Sequence, residues 1–151
     1  MWQLIHNHEA PDCHALHYLQ MTCEKLGKAF LIAGGAISPQ QAQSSHVAFK
    51  RFLQMASRNH VLRNLLKMSA AQFKAHVNQL LPNAEAVERL TPALAHDGPN
   101  VEYPWESPDR QIHIPVHYVF SVARELRRPA GANLLKLVDL VQLQFYRLFT
   151  E

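Results

Sequence analysis

Apolar residues recur near the start of the chain at alternating steps of three and four. Leu16, Leu19, Cys23, Leu26, Phe30 and Ala33 fall on one stripe, the mark of a helix with a single buried face. Pro11 and Asp12 suit its first turn, where a missing N–H is harmless and a negative charge meets the positive end of the dipole. Gly34 and Gly35 supply a stop, so the pattern predicts a helix over 11–33. A second stripe of Leu134, Val138, Val141, Phe145 and Leu148 predicts another over 130–149.

Between these two lie shorter pieces. "HVAFKRFLQMA" places Val47, Phe49, Phe52, Leu53 and Ala56 on a helical face, and "VLRNLLKM" continues it with Val61, Leu62, Leu65 and Leu66, as one bent helix or two. Ser69 caps "AAQFKAHVNQLL", which Pro82-Asn83 is expected to end, with "AEAVERL" as a further helical piece. Pro92, Pro99, Pro104, Pro108 and Pro115 then predict a long loop, ordered by Val101, Tyr103 and Trp105. Ile112, Ile114, Val116 and Tyr118 alternate around Pro115, which predicts an extended segment rather than a sheet strand. The expected architecture is all-α: one domain over 1–151, an antiparallel helical bundle with a long proline-rich loop before the last helices.

Composition fits a globular chain, since 48% of its 151 residues are hydrophobic. No apolar run approaches the roughly 20 residues of a membrane span. The start, "MWQLIHNHEA", lacks the basic-then-apolar order of a secretory signal. The expectation is a cytoplasmic protein with no membrane association. Cys13 and Cys23 are ten residues apart on the first helix. That puts about 15 Å between their backbones, against roughly 7 Å for a disulfide, so both are expected as free thiols.

Charge is segregated along the chain. Residues 1–24 carry a net of −3, residues 25–84 carry +8 with no acid at all, and residues 85–151 carry −2. A cationic surface attracts phosphates whatever their sequence, and a solvated face is the plain alternative. Lys50, Arg51 and Arg58 are expected together on a helix over 45–58, with Arg63 and Lys67 four apart on the next stretch. These five are the candidate phosphate or RNA contacts. Glu24 and Lys28, also four apart, form a supporting helix pair.

"ALHYLQMTCEKLGKAFLIAGG" followed by "SSHVAFKRFL" resembles the HEPN family, the higher eukaryotes and prokaryotes nucleotide-binding domain. The resemblance is carried by Ala15, Tyr18, Gln20, Glu24, Lys25, Lys28, Ala29, Gly35 and His46, with "EYPW" matching a later Tyr-Pro turn, Tyr103-Pro104. It implies an antiparallel helical bundle that often forms a homodimer, and a link to nucleotides or RNA. Some members are metal-independent ribonucleases; others are binding modules or partners of nucleotidyltransferases.

The ribonuclease members use an arginine and a histidine separated by four to six residues, for phosphate and proton respectively. Arg89 with His96 and Arg110 with His117 have that spacing, and chance alone supplies about two such matches. Each copy encloses a proline, Pro92 or Pro115, which breaks the helix such a pair needs. Arg110 with His117, nearer the last helices, is the candidate catalytic pair. The opening cluster "HNHEAPDCHALH" offers His6, His8, His14 and His17 as zinc ligands. Glu9, Pro11 and Asp12 are better explained as helix-start residues, so no metal and no cofactor is expected. No glycine-rich phosphate loop and no GxSxG motif occurs. The expected function is a non-catalytic helical binding module for RNA or nucleotide, or a partner domain for another protein. A ribonuclease using Arg110 and His117 and a purely structural helical protein are the alternatives.

Overall fold

The computed structural model describes residues 11–96 and 98–150. Helix α1 (Asp12–Ala33) is followed by the short α2 (Pro39–Ser44), then α3 (Ala48–Ala56) and α4 (His60–Leu65). Next come the long α5 (Ala70–Glu88) and a single turn, α6 (Pro92–Ala95). A two-residue hairpin, β1 (Trp105–Glu106) with β2 (Ile112–His113), leads into a 3-10 turn at Pro115–His117. Helices α7 (Ser121–Leu126), α8 (Pro129–Gln144) and α9 (Arg147–Thr150) close the chain. The fold is all-α, with one small antiparallel sheet pairing Trp105 with His113 among the described residues.

The stripes are buried over most of their length, but Ala33 is exposed, and the expected 130–149 helix is split, since α8 ends at Gln144 and α9 begins at Arg147. Leu16, Leu19, Cys23 and Phe30 are buried on α1, and Leu134, Val138 and Val141 on α8. Helix α1 packs mainly on α3, α3 also on α5, and α5 on α8. Phe30 meets Phe52 edge-on at 4.9 Å and Phe149 at the same distance, tying the first helix to the last. Gly27 makes the α1–α3 contact possible, because a Cβ there would stand 2.9 Å from the Ala48 carbonyl oxygen. Cys13 and Cys23 are both buried free thiols, and burial pushes both pKa values up.

Four further expectations need correction. Pro82 does not end a helix, since α5 runs through it to Glu88. The bond that Pro82 cannot donate would reach the carbonyl of Asn78, and both residues are exposed, so that carbonyl is left open to solvent. The 92–115 stretch is not wholly loop, because α6 and the hairpin form within it. Asn100 organises that stretch: its buried side chain accepts from the backbone N–H groups of Glu102 and Tyr103. Ile112 does join a strand, ahead of Pro115. The 45–58 helix is shorter than expected: α3 stops at Ala56, and Asn59 caps a separate α4 by accepting from the Leu62 N–H. The same Asn59 donates to the Leu148 carbonyl and so fixes the break to the end of the chain.

Candidate functional site

That break redistributes the basic residues. Lys50 and Arg51 lie on α3, but Arg58 lies in the turn after it. Arg63 is half-buried on α4, and Lys67 lies beyond its end at φ 54, where the backbone N–H of Met68 closes back on the Arg63 carbonyl. The five candidates therefore form no single stripe. Lys50 and Arg51 instead meet Arg89 and His96, which come from the far end of α5 and from α6. The four line one cleft of about 700 Å³, with Gln54, Glu85 and Glu88, and with Val47, Leu94, Ala95 and Pro99 as an apolar wall.

The cleft is wired through two carboxylates. Lys50 Nζ donates to Glu85 Oε2 at 3.0 Å, and Arg89 donates to Glu85 Oε1 at 2.8 Å. These contacts and charges, Lys50 first, hold the Glu85 carboxyl below its ordinary pKa. Glu88 is 6% exposed, and its Oε1 accepts from the Lys50 backbone N–H at 2.9 Å. Burial raises its pKa, against the opposing pull of the Lys50 and Phe49 N–H groups. Glu88 thus satisfies the first N–H groups of α3 from a neighbouring helix, work that Val47 at the cap position does not do. Arg51 is exposed and has no ion-pair partner among the described residues.

The residues that carried the family resemblance meet elsewhere. Glu24 accepts from Lys28 Nζ at 2.6 Å and from Gln20 Nε2 at 2.9 Å, and its Oε1 lies 3.6 Å from His46 Nδ1. Burial pulls the Glu24 carboxyl up, but the two hydrogen bonds together with the Lys28 and His46 charges outweigh it and the net shift is downward. Lys25 points to a different place, a shallow groove shared with Phe145 and Tyr146.

Arg110 and His117 occupy separate elements. Arg110 is at the hairpin turn with φ 63, and His117 ends the 3-10 turn beyond β2. No helix carries both, as the intervening proline implies. Near Arg110, Ser107 donates to Asp109 while His113 Nε2 lies 3.0 Å from the Ser107 oxygen. Ser107 Oγ also lies 3.2 Å from the Gln111 carbonyl, so these groups together brace the turn. His14 is exposed, and His17 Nδ1 stands 3.5 Å from Glu102 without a hydrogen bond. No group of three metal-binding side chains occurs among the described residues; His6 and His8 lie outside them.

No family model, no curated protein and no solved structure matches this chain. The cleft therefore rests on its own geometry. Sequence reasoning supplied Lys50 and Arg51 and considered Arg89 and His96 only as a spaced pair. It missed Glu85 and Glu88, whose signal was their place at the first acids after the acid-free tract.

Proposed function

We propose that this protein is a helical binding module for a phosphate-bearing ligand, a nucleotide or RNA, held in the cleft between α3 and the end of α5. The supporting observation is that Lys50, Arg51 and Arg89, from two helices, line one cleft of about 700 Å³ beside an apolar wall. That size lies within the range of roughly 300–1,000 Å³ usual for small-ligand sites. Cations suit phosphate oxygens, and Val47, Leu94 and Pro99 suit the face of a base or sugar. Cleavage is not part of the proposal: neither Arg110 nor His117 lines the cleft. The test is calorimetric titration with adenosine monophosphate and with a short single-stranded RNA at low salt. Binding that weakens as salt rises, and in an Arg51→Gln/Arg89→Gln variant, supports the reading. Absence of binding to both ligands overturns it.

A protein-partner role is the second reading. The exposed aliphatic run of Ile112, Ile114, Val116 and Val119 favours it, with Val119 84% exposed. A second copy of the chain on that surface, the expected homodimer, would give a dimer mass by sedimentation that Val119→Asp reduces to a monomer. A monomer mass for the unaltered protein removes the homodimer.

A further inference from the structure

Resting on that reading, we infer that the cleft selects a terminal phosphate, a phosphomonoester, over the internal phosphodiesters of a nucleic-acid chain. The selecting feature is the group of cations gathered around Glu85. The two carboxylate oxygens of Glu85 already bridge two of the cations a phosphate would use, Lys50 at 3.0 Å and Arg89 at 2.8 Å. A ligand phosphate must displace this carboxylate or share its partners. A phosphodiester carries one negative charge, the same as the carboxylate, so the exchange gains little. A monoester near neutral pH carries about −1.5 to −2 and offers three acceptor oxygens.

The charge count at the rim agrees. Glu88 lies beneath, spent on the backbone N–H groups that open α3. Lys50, Arg51 and Arg89 line the cleft against Glu85 and Glu88, so among the described residues the cations outnumber the carboxylates three to two. Three cations also match three terminal oxygens, whereas a diester has two of its four oxygens committed to carbon. Lys50 and Arg89 are 40% and 69% exposed, so their side chains have room to leave Glu85 and close on a ligand.

The test compares one short single-stranded oligoribonucleotide with a 5′-phosphate, the same strand with a 5′-hydroxyl, and adenosine monophosphate, each titrated calorimetrically into the unaltered protein and into Glu85→Gln. The phosphorylated strand should bind the unaltered protein about tenfold more tightly than the hydroxyl strand, the scale of one charge-assisted hydrogen bond. Glu85→Gln should tighten both strands, because no carboxylate then has to be displaced, and should leave the gap between them in place. Equal affinity for the two strands in the unaltered protein overturns the inference while leaving the phosphate cleft in place. Failure of all three ligands to bind overturns the cleft itself. Once the gap between the strands has borne out the preference, adenosine monophosphate binding as tightly as the phosphorylated strand identifies free nucleotides as the source of the phosphate, and weaker binding identifies RNA ends.

Discussion

Two lysine–carboxylate clusters flank the start of α3, and they differ in what surrounds them. On the α1 side, Glu24 and Lys28 are 17% and 19% exposed, with Gln20 completing the carboxylate's partners. On the α5 side, Glu85 and Lys50 are 37% and 40% exposed and open onto a cleft. The chemistry of the pair is the same, and its accessibility decides its use. A shielded pair with its acceptors filled holds helices together, and losing one partner strands the others in a poor solvent. An exposed pair adds little to stability, so its members are free to exchange partners with a ligand.

The largest expected effect comes from the shielded side. Gly27 sits between Glu24 and Lys28 in the chain and presses on the Ala48 backbone, so Gly27→Val forces α1 and α3 apart. Overpacking costs about 1–3 kcal/mol and occasionally more, and the Ala48 backbone against the added side chain puts this case at the upper end. At roughly 2–4 °C per kcal/mol for a chain of this size, thermal melting detects it readily. Gln54→Ala, in the exposed cleft, should change stability by less than about 0.5 kcal/mol. Comparable losses in both variants would break the comparison.

Next in size is Glu24→Ala, which leaves the half-buried Lys28 and the buried Gln20 without their acceptor. A loss of about 1–3 kcal/mol in urea unfolding is expected, with ligand affinity unchanged. Glu85→Gln should do the reverse: no measurable loss of stability and altered phosphate binding. A destabilised Glu85→Gln protein would place both pairs in one structural class.

The two sides were unequally legible in the sequence. Glu24 and Lys28 stand four apart on a striped helix, so their contact follows from helical geometry alone. Lys50 and Glu85 are 35 residues apart, and only the packing of α3 on α5 brings them together. The charge map misled for the same reason. The acid-free tract looks uniformly cationic, yet Glu24 and Glu85 reach into it from its two borders and take up Lys28 and Lys50. The long helices were readable because one buried face repeats over many residues. The stop at Ala56 was not, because the apolar pattern runs on while Asn59 caps a new helix against the Leu148 carbonyl. Nor was the continuity of α5, because the cost of Pro82 depends on whether its vacant bond faces water.

A smaller effect separates the basic residues from one another. Arg51 lines the cleft and Arg58 lies in the turn beyond α3, so the two substitutions should differ although both residues are exposed. Arg51→Gln should weaken adenosine monophosphate binding about tenfold at low salt. Arg58→Gln should leave it unchanged. Equal weakening by both would mean that the ligand follows the basic tract as a whole and not the cleft.

The smallest effect is the dependence of stability on pH, and it has opposite signs on the two sides. The Glu24 pKa is lowered by folding, so the carboxylate stabilises the native state above its ordinary value of 4.5 and loses that contribution as pH falls through the folded value. The Glu88 pKa is raised, by burial first, so its favourable contribution is present below 4.5 and is lost as pH rises through the folded value. Urea midpoints for the unaltered protein, Glu24→Gln and Glu88→Gln, followed from neutral pH into the carboxylate range, separate the two. On acidification the advantage of the unaltered protein over Glu24→Gln should shrink, and its standing against Glu88→Gln should improve. Both differences moving in the same direction would show that Glu88 is held ionised by the N–H groups of α3 and acts, like Glu24, as a satisfied structural carboxylate.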